Sequence, residues 1–179
     1  ITYMEGADRK MLKSPCILIA NHTCHKDGSF VPQALHRIKM HVLVTSKWYD
    51  KKTINIFFKN LRYISVNLEE MDNSWIDKAK KVLENGESVL IFPEGKLSKD
   101  GTLLEFQPGF LMLARLTDAP VIPIAISGGY RKFHRQNILV GNRVDFDVHK
   151  AGRPSVIMKE GAAMYRQKME DMLKTNNKS

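Results

Sequence analysis

Short runs of apolar, mostly β-branched residues alternate along this chain with segments in which apolar residues recur at helical spacing. The apolar runs predict strands over residues 16–20, 42–45, 63–66, 88–92 and 121–126. Such alternation is typical of α/β folds, in which helices connect parallel strands. We therefore predict a single α/β domain over residues 1–179, with a mostly parallel, mixed sheet flanked by helices.

The clearest helical pattern covers residues 73–85. Trp75, Ala79 and Leu83 form an apolar stripe, Asp72 or Asn73 is suited to cap the start, and Gly86 stands where a helix ends. Weaker patterns predict further helices over residues 27–37, with Pro32 near the first turn, 53–59, 108–117 and 154–174, and a hairpin over 138–148.

Composition limits the classes of function. The 179 residues carry 28 Lys+Arg against 19 Asp+Glu, a net charge of +9, which predicts an anionic partner without saying which. Two cysteines without a CxxC pair indicate a reduced, cytoplasmic setting. No apolar stretch approaches the roughly 20 residues that span a bilayer. Because the chain begins at Ile1 and not at Met, we expect that an N-terminal segment, and any anchor in it, is missing.

A polar cluster directly follows the predicted strand 16–20. Asn21, His22, His25 and Asp27 lie within seven residues after Ala20, at the carboxyl end of a strand, where open α/β sheets hold ligands. If Asp27 begins the next helix, its carboxylate reaches one ring nitrogen of His22 and leaves the other as a general base. Two alternatives remain: a structural His–Asp pair, and a zinc or manganese site that includes His25.

A second cluster follows the predicted strand 88–92. Gly95 permits a turn whose backbone N–H groups face one way, and Lys96 and Ser98 add donors, so the turn is suited to hold a phosphate. The alternative is an ordinary β–α turn in which Glu94 pairs with a nearby lysine.

Four blocks of sequence then carry a resemblance to a known family. They are Asn21-His22-x4-Asp27, Phe92-Pro93-Glu94-Gly95, Phe106-x-Pro108-Gly109-Phe110 and Val121-Ile122-Pro123-Ile124. In this order, each at a strand end or helix start, they resemble the glycerolipid (lysophospholipid) acyltransferase family over about residues 17–127. The resemblance implies a glycerol-3-phosphate acyltransferase-like fold and an O-acyltransferase of phospholipid biosynthesis.

The resemblance also implies a division of roles. His22 is the general base and Asp27 orients it, while the donor is acyl-CoA or acyl-carrier protein and attack is direct, with no cofactor and no metal. The acceptor is a lysophospholipid, foremost 1-acyl-sn-glycerol-3-phosphate. Pro123 shapes the wall near the acyl donor. The residues expected to bind substrates are Asn21, Arg62, Asn67, Glu94, Gly95, Lys96, Ser98 and Pro123.

One block departs from the family pattern. The family has an Arg that grips the acceptor phosphate, and Asn67 occupies that position here. Loss of a guanidinium removes a charge-assisted contact of about 1.5–3 kcal/mol unless another cation replaces it. Lys96 and Arg62 are the candidate replacements. The departure concerns which lysolipid is the acceptor, and not acyl transfer itself.

The basic excess fits an enzyme that works on an anionic membrane surface. We expect a cytoplasmic protein bound peripherally to the inner face of the membrane, with Trp48 and Tyr49, which stand among lysines, as interface residues. Ile54, Phe57 and Phe58 are better read as the core face of a helix. The alternative function is a basic lipid- or nucleic-acid-binding module without catalysis, although no recognisable nucleic-acid motif is present and we expect no nucleic acid partner.

Overall fold

The computed structural model describes residues 1–5, 7–45, 62–66, 73–98, 102–128, 136–144 and 154–176. Within these residues, seven strands form one sheet in the order β1-β7-β6-β2-β5-β3-β4. The strands are β1 Thr2–Tyr3, β2 Ile17–Ala20, β3 Met40–Thr45, β4 Tyr63–Val66, β5 Ser88–Ile91, β6 Val121–Ser127 and β7 Asn137–Val140. The five strands predicted from the apolar runs are all confirmed, with ends that differ by two residues at most.

The sheet is mostly parallel. β2 pairs in parallel with β5 and β6, and β3 pairs in parallel with β4 and β5, so these five strands end at one common edge. β7 runs antiparallel to β6, and β1 is parallel to β7. The predicted mixed α/β sheet is therefore confirmed, with β2 flanked by strands on both sides.

The described helices are a 3-10 turn Arg9–Met11, α1 Asp27–Ala34, α2 Ser74–Glu84, α3 Gly109–Thr117 and α4 Pro154–Asn176. α2 ends just before Gly86, as predicted, and the φ of 77° at Gly86 suits glycine. α1 is shorter than predicted, and Pro32 lies inside it and not in its first turn. The helix predicted over 53–59, and with it the aromatic–lysine segment, lies outside the described residues.

Alternation along the strands divides the core into two layers. Ile17, Ile19 and Ile91 face the layer that holds the buried side chains of α2, α3 and α4. Leu18 and Leu90 face the opposite layer, together with α1 and the segment that follows it. Within the described residues, no helix is both long enough and apolar enough to cross a bilayer.

The hairpin predicted over residues 138–148 is wrong for the part that is described. β7 already has β1 on one side and β6 on the other, so it has no free edge for the following residues to pair with. Instead the chain continues along β6, where Val144 bridges Val121. A bulge between these pairings contains Gly141, at which a Cβ would lie 2.7 Å from Pro123 Cγ.

Candidate active site

His22 and Asp27 form a close pair at the carboxyl edge of the sheet. β2 ends at Ala20 and α1 begins at Asp27, so His22 lies in the short connection and Asp27 at the start of the helix. His22 Nδ1 lies 3.1 Å from Asp27 Oδ2. The Asp27 side chain is fully buried, whereas 19% of the His22 side chain is exposed. This geometry brings together the two residues that we predicted as catalytic.

Backbone donors hold the Asp27 carboxylate in place. The N–H groups of Thr23 and Cys24 each donate to Oδ2 over 2.7 Å, and the carboxylate stands in the first turn of α1, where the helix dipole favours negative charge. An acceptor held in this way assigns the proton to Nδ1 of His22. Nε2, which has no partner among the described residues, is then the nitrogen that accepts a proton.

Phe92 is a site residue that sequence reasoning missed in this role. It follows β5, and its ring stacks on the imidazole of His22 with centroids 4.3 Å apart and planes inclined by 25°. The residue belongs to one of the four blocks, but no spacing rule indicates contact with His22. Only the parallel pairing of β2 with β5 brings the two rings together.

Glu94 is tied to the backbone on both sides of the site. Oε1 accepts the N–H of His22 over 2.6 Å, and Oε2 accepts the N–H of Leu104 over 2.8 Å. Burial raises the pKa of Glu94, while the two backbone hydrogen bonds oppose that rise. The carboxylate thus fixes the main chain of His22; its predicted part in acceptor binding stays a prediction.

The other residues of the second cluster lie at the same edge as His22. Gly95 has a φ of 67°, which fits the predicted turn, but its N–H donates to the Phe92 carbonyl over 3.1 Å, so the prediction that the N–H groups of this turn hold a phosphate stays a prediction. Lys96 is exposed and Ser98 is half-buried. Lys96 is therefore an exposed residue directly after Gly95, and its predicted contact with the acceptor phosphate stays a prediction.

Asn21 and Pro123 lie in the framework of the site. The buried Asn21 amide donates to the Ile126 carbonyl over 3.0 Å and accepts the Ile126 N–H over 2.7 Å, which closes β2 onto β6. Pro123 is buried inside β6, paired with Ile19. Roles for these two residues in binding substrate stay predictions.

Arg62 is not brought to the site, so its candidacy as the phosphate-binding cation is corrected. It precedes β4 and therefore lies at the amino edge of the parallel strands, opposite His22. There its guanidinium is paired with Glu87, which also contacts His41 Nε2 at 2.7 Å. The hydrogen bonds from His41 and Arg62 lower the pKa of Glu87, and the one from His41 contributes most. Asn67 lies outside the described residues.

The metal alternative has no matching geometry. Among the described residues, no group of three His, Cys, Asp or Glu side chains is arranged to hold a metal ion. What the arrangement provides is an imidazole that a buried carboxylate orients through Nδ1 and whose side chain is partly exposed. Such a group removes a proton from a bound hydroxyl.

Comparison with known proteins agrees with this chemistry. The sequence model of the family described as Acyltransferase matches residues 2–127. A 1-acyl-sn-glycerol-3-phosphate acyltransferase of Bacillus subtilis (strain 168) is 29% identical over 90 residues, which are 50% of this chain and 44% of that protein. A probable 1-acyl-sn-glycerol-3-phosphate acyltransferase of Mycoplasma genitalium is 24% identical over 131 residues, 70% of this chain and 48% of that protein.

A solved structure has the same fold. The 1-acyl-sn-glycerophosphate (LPA) acyltransferase PlsC from Thermotoga maritima superposes with a TM-score of 0.66 at 19% sequence identity, covering 96% of this chain and 71% of that one.

The Cocos nucifera 1-acyl-sn-glycerol-3-phosphate acyltransferase is 36% identical, over 35% of this chain and 20% of that protein. The chain thus spans about half or less of the length of these curated relatives.

Proposed function

The chain belongs to the acyltransferase family, and from that premise we propose that it transfers a fatty acyl group from a thioester to a hydroxyl of a lysophospholipid. The observation that carries the proposal is the contact of 3.1 Å between His22 Nδ1 and the buried Asp27 carboxylate. This contact leaves Nε2 of His22 as the proton acceptor, which is the group that direct acyl transfer needs.

The reaction is a single displacement at the thioester carbonyl. Nε2 of His22 takes the proton of the acceptor hydroxyl while the hydroxyl oxygen attacks the thioester carbonyl carbon. Before the attack, this oxygen is held about 3–3.5 Å from that carbon. The C–S bond then breaks, and the leaving thiolate takes the proton back from the imidazolium. The new ester and a free thiol are the products. Asp27 stabilises the imidazolium that exists between the two proton transfers.

We propose 1-acyl-sn-glycerol-3-phosphate as the acceptor. The names of the relatives from Bacillus subtilis and Mycoplasma genitalium support this choice. Lys96, exposed behind the Glu94 turn, is the cation proposed to meet the acceptor phosphate. Because Asn67 stands where the family has Arg, we also propose testing acceptors with other headgroups.

The donor is proposed to be acyl-CoA or acyl-carrier protein, with no cofactor, and the product to enter phospholipid biosynthesis. A net charge of +9 supports work on an anionic membrane surface and binding of a polyphosphate donor. We propose a peripheral position on the cytoplasmic, inner face of the membrane. Flotation with anionic and with zwitterionic vesicles tests this, and equal binding to both kinds of vesicle counts against it.

The test of the reaction is release of thiol from palmitoyl-CoA in the presence of a panel of lysolipids that includes lysophosphatidate. Wild type is compared with His22→Ala, and with His36→Ala as the matched control because His36 is exposed and is not part of the site. We expect release that requires an acceptor, persists in the control and disappears in His22→Ala. The ranking of the acceptors then shows the effect of Asn67.

Two outcomes would contradict the proposal. Acceptor-dependent release that survives in His22→Ala removes His22 as the base. No release with palmitoyl-CoA leads to the same assay with acyl-carrier protein thioesters, and failure there as well rules out thioester-dependent transfer by this chain.

A further inference from the structure

Arg166 binds the main chain of a loop that touches the candidate active site. It lies on α4, outside the residues 2–127 that match the family model. Its Nε donates to the Leu104 carbonyl over 3.2 Å, and its Nη2 donates to the Leu103 carbonyl over 3.0 Å. The planar guanidinium thus clamps two consecutive carbonyl groups, which a single ammonium does not reproduce.

Leu104 connects this clamp to Glu94. The Leu103 carbonyl that accepts from Arg166 and the Leu104 N–H that donates to Glu94 Oε2 over 2.8 Å belong to one peptide unit. Glu94 Oε1 in turn accepts the N–H of His22 over 2.6 Å. A continuous series of hydrogen bonds therefore runs from α4 to the backbone of the catalytic histidine.

The segment on which Arg166 acts has no regular secondary structure. Residues 102–107 form neither helix nor strand, and a second tether, the Gln107 N–H to the Pro93 carbonyl over 2.7 Å, holds its far end. Leu103 and Leu104 therefore depend on side-chain partners for their position. Arg166 also pairs with Glu105 and Glu170, at 3.4 and 3.6 Å, but both partners are more exposed than the clamp.

We propose that Arg166 is a positioning residue for His22, acting through Leu104 and Glu94. This inference rests on the proposed function for its effect on turnover. When the clamp is removed, Leu104 moves, Glu94 loses one of its two donors, and the backbone of His22 is held less firmly. A base displaced by about 1 Å costs up to roughly 100-fold in rate.

The experiment compares Arg166→Gln and Arg166→Lys with Lys159→Gln. Lys159 is exposed on the same helix, so its variant removes the same charge without touching the loop. Each variant is assayed for kcat and for KM of palmitoyl-CoA. The His22 backbone amide is followed by ¹⁵N–¹H NMR, because its short hydrogen bond to a carboxylate gives a proton resonance that shifts when the bond lengthens.

For Arg166→Gln we expect kcat to fall about 10- to 100-fold, KM to change by less than about twofold and the His22 amide resonance to shift. Arg166→Lys should give a smaller change of each quantity, and Lys159→Gln none. An unmoved His22 resonance in Arg166→Gln overturns the proposal. If Arg166→Gln does not fold, the same readouts on Arg166→Lys decide. The resonance needs no turnover, so it tests the inference even if wild type proves inactive as a transferase.

Discussion

The imidazole of His22 lies against the ring of Phe92, with centroids 4.3 Å apart and planes inclined by 25°. This contact covers one face of the proposed base, while Asp27 Oδ2 holds Nδ1 at 3.1 Å. Rotation of the imidazole is thereby opposed in two independent directions. An aromatic face also attracts the positive charge that the ring acquires when it takes a proton.

Replacement of Phe92 by Leu should lower kcat with little change in KM. Leu fills much of the volume but offers no flat face, and the lost stacking, about 0.5–1.5 kcal/mol, corresponds to a reduction of up to about tenfold. Steady-state kinetics with a saturating acceptor measure the effect. Phe92→Tyr keeps the ring and should retain near wild-type turnover. Equal losses in the two variants would show that stacking is not the cause.

Asp27→Asn should reduce kcat by roughly 10²–10⁴-fold. The carbonyl oxygen of Asn can take the place of Oδ2 toward His22, Thr23 and Cys24, but it carries no negative charge, so the imidazolium that forms when Nε2 takes a proton is no longer stabilised. Single-turnover measurement of thiol release separates this loss from weaker binding. Asp77→Asn, on the exposed side of α2, is the control that should behave as wild type. A normal rate in Asp27→Asn would show that the negative charge of the carboxylate does not assist the base.

Glu94→Gln should both destabilise the protein and lower its activity. Two half-buried backbone donors, the N–H groups of His22 and Leu104, share this carboxylate, and Gln supplies an acceptor to only one of them. An unsatisfied buried N–H costs about 1–3 kcal/mol, which the free energy of unfolding in urea would reveal. Glu160→Gln changes an exposed carboxylate and should leave stability unchanged. A Glu94→Gln variant as stable as wild type would mean that the loop reorganises without cost.

The contacts of Glu87 with His41 and Arg62 should make the stability of the protein depend on pH in the acid range. Hydrogen bonds from His41 and then Arg62 hold the pKa of Glu87 below its usual value of about 4.3. A lowered folded-state pKa adds stability above the unfolded value, and that stability is lost as pH falls through the folded value. The difference in unfolding free energy between wild type and Glu87→Gln should therefore shrink as the pH falls below about 4.

Unfolding in urea at a series of pH values measures this difference. Glu84→Gln changes an exposed carboxylate on α2, whose ion pair with Lys80 spans 3.7 Å, and should show a much smaller dependence on pH. A Glu87→Gln difference that grows on acidification would contradict the assignment, because it would require a raised pKa.

Gly141→Ala should destabilise the fold by about 1–3 kcal/mol. The new Cβ would lie 2.7 Å from Pro123 Cγ and 3.0 Å from Met172 Sδ, so β6 or α4 must move. Thermal unfolding measures the loss. Gly28→Ala is the matched control, since the nearest atom to its Cβ lies 3.8 Å away and Ala is the better residue inside a helix. Equal melting temperatures for the two variants would show that the bulge adapts.

Much of the local structure follows from the sequence. Strands such as β4 and β6 and the helix α2 appear as apolar runs or as apolar spacing, which depend on neighbouring residues only. The position of His22 and Asp27 was predictable for the same reason: they lie between the end of a strand and the start of a helix, and Asp27 comes five positions after His22. Local pattern alone therefore determines the fold class and the central pair of the site.

The remaining contacts depend on which strands become neighbours. Phe92 and Glu94 reach His22 because β5 pairs with β2, and Arg62 is carried to the far edge because it precedes a strand parallel to them. The chain at Gly141 forms a bulge and does not turn back into a hairpin, because both edges of β7 are occupied. Arg166 meets Leu104 across 62 residues of sequence. Periodicity carries no information on strand order or register, so these contacts between distant parts of the chain were decided only when the sheet assembled.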